Sequence, residues 1–348
     1  MTAFQWESLS NQGVATAAVL YFVALLAHLV EWSSLRHVAG EPAVAAPGGA
    51  REPVGSSPSG GVAVATGGSS TGTPDGDAGG RRTALFARLG LILTIVGAVA
   101  HFVGMLGRGM AADPNRVPWG NMYEFTLSGT FVVVLLYLVL RRRFGLAWMA
   151  PIVVGFVLAL LMVAVLWLYN PVAPLTEALE SYWLVIHVVA AILATGAFTL
   201  GGITSAMFLV KSRRPGGTGP MSRVPEPAVL DRISYRIHAF GFPVWTFAVL
   251  ITGPIWAHQA WSSYWNWDPK EVWAFITWVV YAGYLHARAT AGWRGRRAAW
   301  LALAGMATLW FNFIGINYFS TTSQHSYAGG APALGHPAPE LTGHFKAL

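Results

Sequence analysis

Cysteine is absent from all 348 residues. The chain therefore has no disulfide, no thiolate metal ligand and no thiol nucleophile of its own. Charge is scarce too: 11% of residues are Asp, Glu, Lys or Arg, against 54% hydrophobic. A soluble domain carries about 25% charged residues. That shortfall, with a mean hydropathy of +0.50, excludes a water-facing globule and indicates a polytopic membrane protein. No basic tract has interleaved aromatics, which excludes a nucleic-acid surface. The formal charge of +7 sits instead beside hydrophobic runs, where membrane topology is encoded.

What is present is a series of long apolar runs. They predict an all-α polytopic membrane protein of about eight transmembrane helices: Val14–Leu35, Leu85–Leu106, Asn121–Leu140, Ala147–Leu168, Tyr182–Val210, Ile233–Trp256, Val272–Ala289 and Ala298–Phe319. The first lacks a basic leader and a small-residue cleavage site, so it reads as a retained helix. Residues 37–84 are rich in Gly, Ala, Pro and Ser and read as a flexible linker. The chain divides into a first helix (1–36), that linker, a seven-helix core (85–320) and a tail (321–348). Pro171 and Pro174 end the fourth helix, and Gly253-Pro254 is expected to kink the sixth. With the N-terminus outside, all Lys and Arg except Arg108, Arg116, Lys270 and Lys346 fall on the inner side. The linker is then cytoplasmic. Both termini and the tryptophan-rich stretch 256–273 are external.

That stretch is the densest feature of the chain, with six tryptophans from Trp256 to Trp278. A membrane-interface belt accounts for Trp256 and Trp273 singly. Trp261, Trp265 and Trp267, wrapped around the charged turn Asp268–Glu271, instead suggest a broad aromatic shelf with indole N–H donors at its edge. Such a shelf suits a large flat ligand with a polar rim: a haem, a quinone or a lipid. Asp268, Pro269 and Glu271 have the spacing of a capped helix start, and Lys270 beside them offers a partner for ligand carboxylates. Arg108 and Arg116 suit either ligand carboxylates or loop ion pairs.

The histidines sort by depth. His187 is expected about 10 Å below the outer start of the fifth helix, and His325 just beyond the outer end of the eighth. Both can converge on the tryptophan stretch, as a bis-histidine haem site requires. The plainer alternatives are a helix–helix hydrogen bond for His187 and a surface position for His325. His286 lies near the inner end of the seventh helix, where an ionisable group in hydrocarbon is costly and usually has a task. It suits ligation of a second, deeper haem or a hydrogen bond across the bundle. A second ligand would have to come from His28, His101 or another subunit.

The segments WSSYWNWDPKEVWAFITW (Trp261–Trp278) and YLHAR (Tyr284–Arg288) resemble the WWD-domain haem-handling family. PWGNMYEF (Pro118–Phe125), SYWLVIHV (Ser181–Val188) and QHSYAG (Gln324–Gly329) extend the match. The resemblance is to its system II cytochrome c biogenesis branch, the CcsA/ResC type, in the bacterial plasma membrane. It implies that His187 and His325 ligate external haem b beside Trp261, Trp265, Trp267 and Asp268. It also implies that His286 ligates haem in transit together with a histidine of a ResB-like membrane partner. The implied activity is delivery of haem for thioether attachment to the Cys-X-X-Cys-His motif of apocytochrome c, as a subunit of holocytochrome c synthase aided by thiol-reducing proteins. The thiols would come from the substrate, which reconciles sulfur chemistry with a cysteine-free chain. A haem exporter or chaperone without ligation activity, or a transporter of another amphipathic ligand, is the alternative. Two positions depart from the family pattern: Ser262 stands where glycine is frequent, and Gln324 where leucine is frequent.

Overall fold

The computed structural model of the chain describes residues 1–38, 74–175, 179–213, 219–320 and 323–324. Within them the protein is a bundle of helices. They are α1 (Ala3–Val38), α2 (Pro74–Met110), α3 (Met122–Arg143), α4 (Ala150–Trp167, entered through a 3-10 turn at Leu146–Met149), α5 (Tyr182–Arg213), α6 (Pro227–Thr246), α7 (Gly253–Trp261), α8 (Pro269–Ala289), α9 (Arg296–Trp310) and α10 (Ile316–Phe319). Two π-helical segments, Phe247–Thr252 and Phe311–Gly315, join α6 to α7 and α9 to α10 without a break. The protein is a multi-pass membrane protein. Seven helical runs are long and apolar enough to cross a bilayer among the described residues, with α6 to α7 counted as one run of 35 residues.

The predicted seventh span is the exception. α8 has 21 residues and the length to span, but it is not among those seven runs. Its aromatic, histidine and arginine content dilutes its hydropathy. The helices also overrun the expected ends. α2 begins at Pro74, inside the stretch read as linker, while residues 39–73 lie outside the described residues.

Packing follows from small residues and apolar stripes. α1 and α2 form a hairpin so close that a Cβ on Gly104 would sit 2.8 Å from a Val14 methyl carbon and 3.0 Å from the Val14 backbone nitrogen; glycine permits the backbones to approach. α5 lies between α6, α9 and α3, and α8 packs on α9 and α6. The largest apolar cluster joins α1, α3 and α4 to the lower part of α5 and α6, and a second joins α5, α6, α8 and α9. Large apolar side chains such as Phe22, Leu26, Ile92 and Val99 face outward, as a lipid-facing surface requires.

The bundle has two chemically distinct ends. One carries the start of α1 and the α2–α3, α4–α5 and α7–α8 loops, which are tied together by Tyr169 to Glu7 (3.3 Å), Arg116 to the Ala173 carbonyl (3.1 Å) and Ser181 to Gln259 (2.7 Å). The other carries the basic groups Arg141–Arg143, Lys211–Arg213 and Arg294–Arg297. At this basic end Arg288 makes a two-pronged ion pair with Asp231 (2.7 and 3.0 Å), and Glu31 pairs with His28 and Arg223.

Candidate functional site

The tryptophan-rich loop closes one end of a chamber inside the bundle, about 210 Å³ in volume. Two helices supply its long walls by simple periodicity. On α3 the lining residues are Met122, Phe125, Thr126, Gly129, Thr130 and Val133. On α5 they are Leu184, His187, Val188, Ala191, Ile192 and Thr195. Both sets recur at intervals of three and four, which is one face of an α-helix. Trp256, Trp265, Lys270, Asn312 and Phe313 add to the lining from α7, the loop, α8 and the second π segment.

His187 is held by the irregular part of the opposite helix. Its Nδ1 lies 2.9 Å from the Ala248 carbonyl oxygen. A carbonyl only accepts, so Nδ1 carries the proton and the metal-competent lone pair is on Nε2. Ala248 lies in the π segment, and the Thr252 hydroxyl also donates to its carbonyl at 3.1 Å. The ring stacks on Trp256, with centroids 5.9 Å apart and planes 12° from parallel. Gly253 makes room: a Cβ there would stand 3.2 Å from His187 Cε1.

The loop is built by caps. α7 ends at Trp261 with Ser262 in the left-handed region (φ 58°, ψ 20°), its N–H bonded to the His258 carbonyl. α8 starts with the expected capping box on Asp268 and Glu271, and Pro269 at its first position. Asp268 does more than cap. It accepts from the Ser323 hydroxyl at 2.8 Å and the Gln324 N–H at 2.6 Å. Gln324 in turn accepts from Asn266 at 3.3 Å. The residue preceding His325 is thereby fastened to the loop. His325 itself lies outside the described residues.

The three tryptophans are not one flat shelf. Trp261 packs edge-on against Trp256 (4.9 Å, 66°). Trp265 meets Trp267 at 85°, and Trp267 is 72% exposed. Of the three, Trp265 lines the chamber, together with Trp256 and Tyr264, while Trp261 lies behind Trp256 and Trp267 projects outward.

His286 is elsewhere. It sits in the last turn of α8, about 25 Å along the helix from Pro269 at 1.5 Å per residue. It faces outward on a stripe with Phe275, Val279 and Gly283. His28 and His101 are not brought to it. Both are buried in the α1–α2 hairpin, where His28 bonds Glu31 (3.2 Å) and Thr94 (3.4 Å) and His101 approaches the Tyr21 hydroxyl (3.5 Å). Arg108 and Arg116 are both spent on Glu124, at 2.9 and 2.7 Å, so the loop ion pair is the reading that holds. Among the described residues no group of three His, Cys, Asp or Glu side chains could hold a bare metal ion. A haem iron asks for less, since four of its ligands come from the porphyrin.

Two features of the site escaped the sequence reading. One is the pair of π segments, of which only Gly253-Pro254 gave a hint. The other is Asn312, whose amide in an apolar helix is itself a signal of a lined cavity.

A family model described as Cytochrome C assembly protein matches residues 119–323. The cytochrome c biogenesis protein CcsA of Chlamydomonas reinhardtii is 37% identical over 221 residues, covering 61% of each chain. Its namesake in Gloeobacter violaceus is 31% identical over 303 residues, covering 71% of this chain and 88% of that one. The chain spans 61% and 60% of the first relatives it matches. Among solved structures, Cytochrome c Heme Lyase CcmF aligns with 90% of this chain and 47% of its own, at a TM-score of 0.57 and 15% identity. That likeness is one of fold.

Proposed function

Because the chain belongs to the cytochrome c assembly protein family, we propose that it handles haem for covalent attachment to apocytochrome c. In this reading the tryptophan end faces the extracytoplasmic side of the membrane. The observation that carries it is the His187 imidazole. Its tautomer is set by the Ala248 carbonyl, and it lines an apolar, aromatic-lidded chamber.

The chain's own residues supply positioning. His187 offers Nε2 to the iron from one wall. Asp268 fastens Ser323 and Gln324; His325, the next residue in the sequence, is the proposed source of the second imidazole. The walls are predominantly apolar, which limits water beside the reduced iron. The substrate's Cys-X-X-Cys-His segment brings its own histidine and thiols. Each S–H adds across a haem vinyl group, so both atoms of the thiol enter the product and nothing leaves. No thiol of this chain is required, and a cysteine-free sequence is sufficient. His286 faces out of the bundle, so a second ligand for haem in transit comes from a neighbouring chain, the ResB-like partner.

The test is the absorption spectrum of the reduced protein purified with that partner. Wild type, His187→Ala, His325→Ala and the double variant are compared, alongside thioether formation on a co-expressed apocytochrome c. A bis-histidine spectrum weakened by each single change, with maturation lost and protein levels unchanged, is expected. A wild-type spectrum and normal maturation in the double variant would overturn the assignment. Haem held only through His286 would replace it with membrane transport or storage.

A further inference from the structure

The chamber has a polar end for which iron ligation has no use. Lys270, on the first turn of α8, lines it and donates to the Asn317 amide oxygen at 3.0 Å. Trp265 and Asn312 line it too. The Trp265 indole N–H and the Asn312 side-chain oxygen are buried atoms without a hydrogen-bond partner among the described residues, and Asn312 is only 7% exposed. Two carboxylates stand close by, Glu271 in the lining itself and Asp268 next to it in the α8 cap, and both serve that cap. Glu271 accepts from the Asn266 and Asp268 N–H groups at 2.9 and 3.1 Å. Asp268 accepts from the Lys270 N–H, the Ser323 hydroxyl and the Gln324 N–H. The chamber wall thus holds Lys270, already in the field of the Asp268 carboxylate, and the Trp265 indole N–H, at the positive end of a 21-residue helix.

We propose that Lys270 and the Trp265 N–H form an anion seat for the carboxylate groups of a flat, otherwise apolar ligand. The inference rests on the haem reading, under which those groups are the propionates. A dianionic macrocycle does not enter an apolar chamber without a paired cation, and Lys270 is the one lysine or arginine among the described residues that line it. The Asn312 amide accepts from a protonated carboxyl or, turned over, donates to an ionised one. The consequence is orientation. With the acid edge of the ring held at Lys270, the opposite, vinyl-bearing edge points away from it, and one edge only is presented to incoming thiols. Lys270 is in this sense a positioning residue: it selects how the ring sits and touches no reacting bond.

The experiment titrates the haem-stripped complex with haem and with haem dimethyl ester, in which both propionates are uncharged, following the Soret band. Wild type is expected to prefer the free acid by roughly tenfold, the scale of one charged hydrogen-bonded contact. Lys270→Met removes that preference by weakening haem alone, and Lys270→Arg keeps it. Trp265→Phe, which deletes only the N–H donor and indole bulk, serves where Lys270→Met fails to fold: it lowers affinity for haem several-fold and leaves the ester unchanged. Equal affinity of wild type for the two ligands, or variants that weaken both alike, overturns the anion seat and leaves the haem reading standing. Binding of neither ligand by wild type overturns the haem reading and the seat with it.

Discussion

Trp267 is held at φ 57°, a backbone conformation that costs an L-residue about 1–2 kcal/mol, and its ring is 72% exposed. Its ring touches Trp265 edge-on, and a strained, exposed ring of this size is expected where it also meets a ligand or partner, which comparison with Ser262 tests. Ser262 shares the left-handed backbone at φ 58°, but it presents only a hydroxyl. This explains why the related pattern favours glycine there: glycine adopts the conformation without the Cβ clash. The two positions should separate in one measurement. Ser262→Gly is expected to raise the thermal stability of the detergent-solubilised protein by about 1 kcal/mol and leave cytochrome maturation intact. Trp267→Gly should gain similar stability and lose maturation. Equal maturation in both variants would assign Trp267 no role beyond the turn.

At the scale of the element, the π segment Phe247–Thr252 sets the position of the candidate iron ligand. A regular helix through this stretch would pair each carbonyl with the N–H four residues on. The π register moves that pairing to five, and the Ala248 carbonyl accepts from Gly253 N–H while also receiving Thr252 and His187. Gly253→Ala normally stabilises a helix interior by about 0.5–1 kcal/mol. Here the added methyl would meet the Ala248 oxygen at 3.0 Å and the His187 ring at 3.2 Å. The expected outcome is the opposite sign: a less stable protein with weakened haem absorbance. A stabilised variant with an unchanged spectrum would show that the contact is slack. This element also marks where sequence reading ended. Gly253-Pro254 announced an irregularity, because proline removes a donor, but no local rule says which carbonyl is then released or what it meets 61 residues away on α5. The α8 start was legible from Asp268, Pro269 and Glu271, since a cap is decided within four residues. The fastening of Gln324 to Asp268 was not, because it joins residues 56 apart.

At the scale of the molecule, the apolar runs of the sequence recover the bundle, α8 included, although α8 is not among the seven long apolar runs. α8 buries Glu271, Ala274, Thr277, Tyr281 and Tyr284 on one side. On the other it presents Phe275, Val279, Gly283 and His286 outward, a continuous stripe at intervals of four, four and three. A helix serving both the chamber and an outer face carries mixed chemistry on each, which keeps it out of those seven runs. Gly283 separates the two roles of this helix. A Cβ added there meets nothing within 4 Å in this chain, and glycine in a helix interior is worth about 0.5–1 kcal/mol less than a residue such as leucine. Gly283→Leu should therefore leave the isolated chain as stable as wild type or slightly more so. If the stripe is the seat of a ResB-like partner, the same change fills the space where the partner's helix approaches, and His286 loses its second ligand. The expected result is reduced co-purification of the partner and loss of any haem signal that depends on His286, while the His187-dependent signal persists. Undiminished co-purification would move the partner to another face of the bundle and leave His286 facing lipid.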